Sequence, residues 1–251
     1  MTSFPTAWLD LREPADHAAR HPGLRSAAAS LVGTGGLIVD LGCGIGSTVR
    51  ALQSCLAPAV RWRLVDHDAA VLREAGRRTG AETVLCDLSR GEPPIEGAAL
   101  VTASALLDLV SEAWVERLAD ALKARRSPFY AALSYDGQLS FDPAHPGDQA
   151  MTTALNAHQR TDKGFGPALG PDGAGALAAA LRSRGFKVRI EASPWRLGPG
   201  DAELVLALLP GIAAVASGIA KAEVEDWLAF RQARAADGRC LVGHVDLLAT
   251  L

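Results

Sequence analysis

The sequence predicts an α/β fold built on a doubly wound, seven-stranded, mostly parallel sheet with helices on both faces. Three observations lead there. Short apolar or β-branched runs alternate with stretches of helical apolar spacing from residue 37 to about 192. The first run, LIVDLG, breaks at once into the glycine-rich turn GCGIG and then into a helical stretch. No linker or charge block divides the 251 residues, of which 49% are hydrophobic and 21% charged, so one domain with one sizeable core is expected.

The strands and helices follow in order. LIVDLG (37–42) reads as the first strand, and Ser47 to Leu56 places Val49, Leu52 and Leu56 on one helical face. RWRLVDHD (61–68) is a second strand ending in acids, followed by AAVLREAGRR with helical spacing at Val71, Leu72 and Ala75. TVLCDL (83–88) and ALVTAS (99–104) are the third and fourth strands. A helix then opens on Ser111 as its N-cap and carries Trp114, Val115, Leu118 and Leu122 on one face. SPFYAALSY (127–135) is the fifth strand.

There the rhythm breaks. Residues 136–170 form a Gly/Pro/Asp-rich excursion, far longer than a median connection of about 4 to 6 residues, with a helix expected over DQAMTTALNAHQR. It reads as a substrate-side insertion. A helix over 172–184, capped by Asp172, and a sixth strand, FKVRIEA, come next. Residues 201–236 are read as a helical insertion, its first helix (201–219) broken at Pro210, before the closing strand CLVGHVDLLAT (240–250).

Composition excludes several classes. A net charge of −3, with Arg outnumbering Lys among 25 basic residues, offers no overall attraction for nucleic acid. The four cysteines, at 43, 55, 86 and 240, have neither metal-ligand spacing nor disulfide-scaffold density, which fits a reducing, cytoplasmic setting. The N-terminal stretch lacks a basic region followed by an apolar one, so no signal peptide is expected. The longest apolar run, between Glu203 and Lys221, is interrupted by Pro210 and Gly211 and reads as buried soluble chain, with no membrane partner.

The glycine turn asks what ligand needs main chain so close. A dinucleotide fingerprint requires G-x-G-x-x-G, whereas Gly42, Gly44 and Gly46 give G-x-G-x-G with Ser47 in place of the last glycine. Asp66 follows Gly42 by 24 residues, placed to accept two ribose hydroxyls.

VDLGCGIGS, VDHD and the Cys-Asp-Leu that ends the third strand together resemble the class I S-adenosylmethionine-dependent methyltransferases. The likeness covers about residues 37–135 well and 172–192 by topology. It implies a Rossmann-like sheet with its last strand antiparallel, S-adenosylmethionine as cofactor and S-adenosylhomocysteine as product. It further implies that Gly42, Cys43, Gly44 and Gly46 pack under the methionine and ribose. Asp66, with His67 beside it, would bind the ribose hydroxyls, and Asp87, between Cys86 and Leu88, the adenine amino group. Asp40 resembles the acid that orders the turn and reaches the methionine amine, and Ser104 stands in the variable segment beside the methyl group. Cys43 and Cys86 read as small packing residues and not as nucleophiles. Residues 1–30 resemble a helical lid in which Arg12 pairs with the methionine carboxylate.

The acceptor is less legible, because a sulfonium methyl is already activated and the protein chiefly aligns a nucleophile with it. His158 in the excursion's helix is the first candidate base, with His145 and Tyr135 next. His244 reads as a structural histidine. The Asn/Asp-Pro-Pro-Tyr of adenine and glutamine methylating relatives is absent after the fourth strand, where Ser104, Ala105 and Leu106 stand. Asp108 and Asp136 lack further carboxylate or Asn partners, so no metal is expected. The resulting expectation is an enzyme that methylates a small or medium-sized metabolite at oxygen or nitrogen. The alternatives are an RNA or protein methyltransferase, a nicotinamide-dependent oxidoreductase and a non-catalytic cofactor-binding protein. The oligomeric state is not encoded.

Overall fold

A computed structural model describes residues 5–251. Its centre is β1 (Leu37–Leu41), all five of whose residues are buried. A strand buried on both faces needs apolar side chains at every position, which LIVDL supplies except at Asp40. β1 pairs in parallel with β2 (Arg61–Asp66) on one side and β4 (Ala98–Ser104) on the other. β3 (Glu82–Leu85) forms one edge beside β2. β5 (Phe129–Asp142) continues the parallel sheet beside β4, and β8 (Arg239–Thr250) runs antiparallel between β5 and β6 (Lys187–Ala192). The strand order is therefore β3-β2-β1-β4-β5-β8-β6.

Helices cover both faces. α5 (Glu112–Arg125) and α7 (Gly173–Ser183) bury Trp114, Leu118, Leu122, Leu177 and Leu181 against Val39, Leu41 and Val101. On the other face α2 (Pro22–Ser30) seats Leu24 and Ala28 on Ile38, Leu100 and Tyr130. α3 (Ser47–Leu52) and α4 (Ala69–Thr79) flank β1 and β2, α4 packing Leu72 and Ala75 on Leu64. A third core joins α1 (Thr6–Ala19) and α6 (Asp148–Gln159) to α8 (Ala202–Ala214) and α9 (Lys221–Ala233), around the fully buried Trp227.

Four sequence expectations are corrected. The sheet has eight strands, because β7 (Trp195–Leu197) pairs with the start of β8, Trp195 opposite Val242. β5 does not stop at Tyr135. It runs to Asp142 as a ribbon with β8, so the excursion begins as strand, and the alternation of Leu139 and Phe141 with polar neighbours was its signal. α8 continues through Pro210. The carbonyl that Pro210 leaves without a donor belongs to Leu206, which is 42% exposed and open to water. Asp172 occupies the N-cap position of α7 but makes no cap bond, since its carboxylate pairs with Arg160 at 2.8 Å. Ser111, in contrast, caps α5 through the Trp114 amide. Among the described residues, no helix is long and apolar enough to cross a membrane.

Candidate active site

The turn after β1 is held from below by β2. The amides of Gly42 and Cys43 both donate to the Val65 carbonyl, at 2.9 and 3.0 Å, and the Gly44 amide donates to Asp66 Oδ2 at 3.1 Å. Gly46 closes the turn with φ +83°, and a Cβ there would stand 2.8 Å from the Thr79 methyl, so both conformation and packing demand glycine. Asp66 Oδ1 accepts from the amides of His67 and Asp68 at 2.7 and 3.1 Å. Three amides thus fix the orientation of one carboxylate, and Oδ2 retains a free lone pair.

Above this turn lies a crevice of about 1080 Å³, mouth included, at the carboxyl ends of the strands. Asp66, His67, Cys86 and Leu88 line it on the β2 and β3 side, and Ser104 and Leu106 on the β4 side. This is the point where the strand order reverses between β1 and β4, the usual ligand position of an open α/β sheet.

α1 forms one wall with Leu9, Arg12 and Asp16, and Arg20 follows at its end. It is tied across the turn by Glu13 to Arg50, at 2.6 and 2.5 Å, and by His17 to Ser47 Oγ at 3.1 Å. Arg12 lines the crevice, but its Nε and Nη2 donate to Asp16 at 2.9 and 3.1 Å and its guanidinium lies 5.2 Å from the Trp195 ring. Asp16 also accepts from Trp195 Nε1 at 3.0 Å. The charge of Arg12 is therefore already answered within the protein.

Arg20 is not. It is 3% exposed, its Nη2 donates to Ser104 Oγ at 2.8 Å, and its Nε and Nη1 are buried with no partner among the described residues. Near it, Asp40 is 1% exposed and accepts from Thr102 Oγ1 at 2.7 Å through Oδ1, while its Oδ2 is buried without a partner. Burial pushes the Asp40 carboxyl up to about 6, against the Thr102 hydrogen bond and the Arg20 charge, which pull it down. Arg20 is the residue that sequence reasoning passed over in favour of Arg12. The signal was present: Asp16 lies four residues from Arg12 on one helix face, a spacing that makes the two neutralise each other.

The other sequence candidates fall in different places. Cys43 is buried and its thiol is pushed up by burial, with Asp40 and Asp66 adding to the effect, and burial also raises Cys86. Asp87 does not line the crevice. β3 ends at Leu85, so Asp87 falls in the turn beyond it, exposed, where it accepts from the Ser89 amide and hydroxyl at 3.0 and 2.6 Å. His158 is exposed beside Lys163 Nζ at 3.2 Å, and His145 pairs with Asp226 at 3.1 Å. Tyr135 is buried and donates to Asn156 Oδ1 at 2.9 Å, and burial raises its phenol above the ordinary range. None of these three candidate bases lines the crevice. His244 packs on Trp195 at 5.2 Å, and burial holds its pKa down at about 3, so the ring is neutral.

No family model matches the chain, and no curated protein matches it. Solved structures do. A cyclopropane synthase from Mycobacterium tuberculosis superposes with a TM-score of 0.50 at 10% identity, covering 90% of this chain and 82% of its own. The protein has the class I methyltransferase fold. Geranyl diphosphate C-methyltransferase from Streptomyces coelicolor A3(2) gives a TM-score of 0.46 at 13% identity over 91% of this chain and 79% of that one. Phosphoethanolamine N-methyltransferase 2 from Haemonchus contortus gives 0.45 at 14% over 92% and 52%.

On this class I methyltransferase sheet the crevice presents two chemically distinct ends. One offers an oriented carboxylate, Asp66, among apolar surfaces from Val71 and Leu88. The other offers a buried cation, Arg20, with bonding capacity unused; Asp40, near enough to feel the Arg20 charge, is not itself among the lining residues. Such groups cost several kcal/mol in isolation, which makes a ligand of complementary charge the expected occupant. Among the described residues, no three His, Cys, Asp or Glu side chains gather as a metal site.

Proposed function

We propose that the protein transfers a methyl group from S-adenosylmethionine to a small or medium-sized metabolite. The observation that carries this reading is Arg20, a crevice-lining cation whose Nε and Nη1 are buried without hydrogen-bond partners among the described residues, with the nearby Asp40 Oδ2 also unpaired. An α-amino acid supplies a carboxylate for the first and an ammonium for the second. No dinucleotide carries such a zwitterion, which is why the reading favours a methionine-bearing nucleoside over a nicotinamide cofactor.

When bound, S-adenosylmethionine supplies a methyl already activated on sulfonium sulfur. Arg20 would take the carboxylate in a charge-assisted pair, with Ser104 holding its guanidinium in place. Asp40, steadied by Thr102, would receive the ammonium, and the amine would draw the carboxyl back to its charged form. Asp66 would accept a ribose hydroxyl with its remaining Oδ2 lone pair. His67, Cys86 and Leu88 would flank the adenosine, and Gly42 to Gly46 would let main chain approach it. α1 would act as the lid, excluding water through Leu9 and its ties to Arg50 and Ser47. The acceptor in this reading is an oxygen or nitrogen of a small or medium-sized metabolite.

Isothermal titration with S-adenosylhomocysteine tests the reading, with 5′-methylthioadenosine as the comparison. The first should bind, and the second, lacking the amino-acid end, should bind about 1.5–3 kcal/mol more weakly because Arg20 and Asp40 stay unpaired. Equal affinities, or no binding of either while reduced nicotinamide binds, would overturn it.

A further inference from the structure

S-adenosylmethionine has one anionic group, its carboxylate, and the reading above assigns that group to Arg20. A second cation without an acid lines the same crevice. Lys163, in the loop between α6 and α7, is part of its wall, as is Phe165 two positions on. A sulfonium nucleoside offers that ammonium no counter-charge, and its positive sulfur opposes it.

The loop fixes Lys163 from both sides. Asp162 Oδ1 accepts from the Gly164 and Gly166 amides at 2.6 and 3.0 Å, which spends the neighbouring carboxylate on the backbone. Phe165 meets the Trp114 ring of α5 edge-on at 5.8 Å. Further along, the Leu169 amide donates to the Val110 carbonyl at 2.9 Å and the Gly170 amide to the Asp108 carbonyl at 3.1 Å. The loop is thereby stitched to the segment that follows β4, whose Leu106 and Leu109 line the crevice. That is the side on which the sequence resemblance sets the methyl group, across β1 from Asp66.

Lys163 Nζ donates to Thr161 Oγ1 at 3.0 Å and stands 3.2 Å from His158 Nδ1. Both partners are neutral, since burial and the Lys163 charge hold His158 below its ordinary value. Among the described residues no carboxylate reaches Nζ at bonding distance, and Asp108 acts on it only as a more distant charge. Arg12 makes the contrast: it lines the same crevice but has Asp16 at 2.9 Å. An ammonium held by two neutral groups keeps its charge and a third N–H for a ligand.

We infer that Lys163 receives an anionic group of the methyl acceptor, a carboxylate or a phosphate, and so selects anionic metabolites over neutral ones. The inference rests on the methyltransferase reading, which fills Arg20 and leaves Lys163 over. An anion at Lys163 also offsets the repulsion between its ammonium and the sulfonium, so a charged acceptor suits this crevice better than a neutral one.

The test uses the full chain saturated with S-adenosylhomocysteine, so that Arg20 is occupied, and three probes built on one apolar ring: benzoate, phenyl phosphate and the neutral benzamide. In calorimetry at low salt, at least one of the two anions should bind about tenfold more tightly than benzamide, and the better of them names the group. Lys163→Gln should abolish the preference and Lys163→Arg should retain it, with S-adenosylhomocysteine affinity of both variants within about twofold of the parent protein. Equal binding of the three probes, no binding of any, or a preference that survives in Lys163→Gln would each overturn the assignment. A fall in S-adenosylhomocysteine affinity in Lys163→Gln would place Lys163 on the cofactor and overturn it too. If the parent protein does not bind S-adenosylhomocysteine at all, it is the cofactor reading that fails, and this inference falls with it.

Discussion

Two arginines in this protein are equally buried, each 3% exposed, and they are bonded in opposite ways. Arg231 of α9 donates from Nη2 to both oxygens of Asp148 at 2.5 Å and from Nη1 to the Pro143 carbonyl at 2.6 Å. Its guanidinium lies 4.3 Å from the Phe141 ring and 5.2 Å from Phe230. Arg20 donates to Ser104, with the Tyr130 hydroxyl and the Asp40 charge nearby and no carboxylate at bonding distance among the described residues. The first has its charge met by a carboxylate, with only Nε left unpaired, and knits α6 and α9 to the β5 ribbon. The second has bonding capacity that the protein leaves open, and an open capacity beside a crevice marks where a ligand supplies the partner.

Substitution separates the two most sharply at Arg231. Arg231→Met should lower unfolding free energy by about 3–5 kcal/mol, because it leaves Asp148 without its cation in a largely buried setting. Denaturant unfolding checks this, and S-adenosylhomocysteine affinity of the folded fraction should be unchanged. Arg20→Met should do the reverse. Affinity should fall by about 2–3 kcal/mol in calorimetry as a charge-assisted pair is lost, with a smaller loss of stability than in Arg231→Met, since Arg20 acts on Asp40 without a bonded ion pair. If Arg20→Met unfolds the protein as Arg231→Met does, the contrast disappears.

Asp40 sharpens the same contrast through pH. Its folded carboxyl titrates near 6 against an ordinary value of 3.8, so in the unliganded protein its contribution to stability is full below about 3.8 and is lost as pH rises through about 6. Asp40→Asn removes that cost. At pH 7.5 the variant should be more stable than the parent by about 1–2 kcal/mol, a figure discounted for relaxation around the site, and the difference should vanish near pH 3.5. The same variant should bind S-adenosylhomocysteine more weakly, because a neutral amide is a poorer partner for ammonium. A variant that is no more stable at pH 7.5 would show that Asp40 is already satisfied without a ligand.

The sequence made these two regions unequally legible. The parallel core, its glycine turn and Asp66 could be read because local rules act there: an apolar run buried on both faces, a turn that tolerates only glycine at 46, an acid at a strand end. The last third was harder. β7 has only three residues, too few for a period to register, and its pairing with β8 is set by Trp195 docking under α1. Arg20, which lines the crevice, was not singled out over Arg12 for another reason. What distinguishes it is that two of its three nitrogens lack a hydrogen-bond partner in three dimensions, and a sequence records which donors and acceptors exist, never which of them remain unmatched after packing.

Asp87 shows the limit of strand-end reasoning and supplies the smallest expected effect. It and Asp66 look alike in sequence, each an acid closing a short apolar run, yet β2 carries its pairing through Asp66 while β3 stops at Leu85. The two extra residues turn the chain, and Asp87 spends its carboxylate on Ser89 and Arg90 at an exposed site, where hydrogen bonds to Ser89 hold its pKa down. Asp66→Ala should weaken S-adenosylhomocysteine binding by more than about 1 kcal/mol, since it removes both the ribose partner and the anchor of the Gly44 amide. Asp87→Ala should change it by less than about twofold, within the range of ordinary surface substitutions. An Asp87 effect as large as that of Asp66 would mean that the turn after β3 reorganises around adenine, swinging a carboxylate that now points to solvent into the crevice.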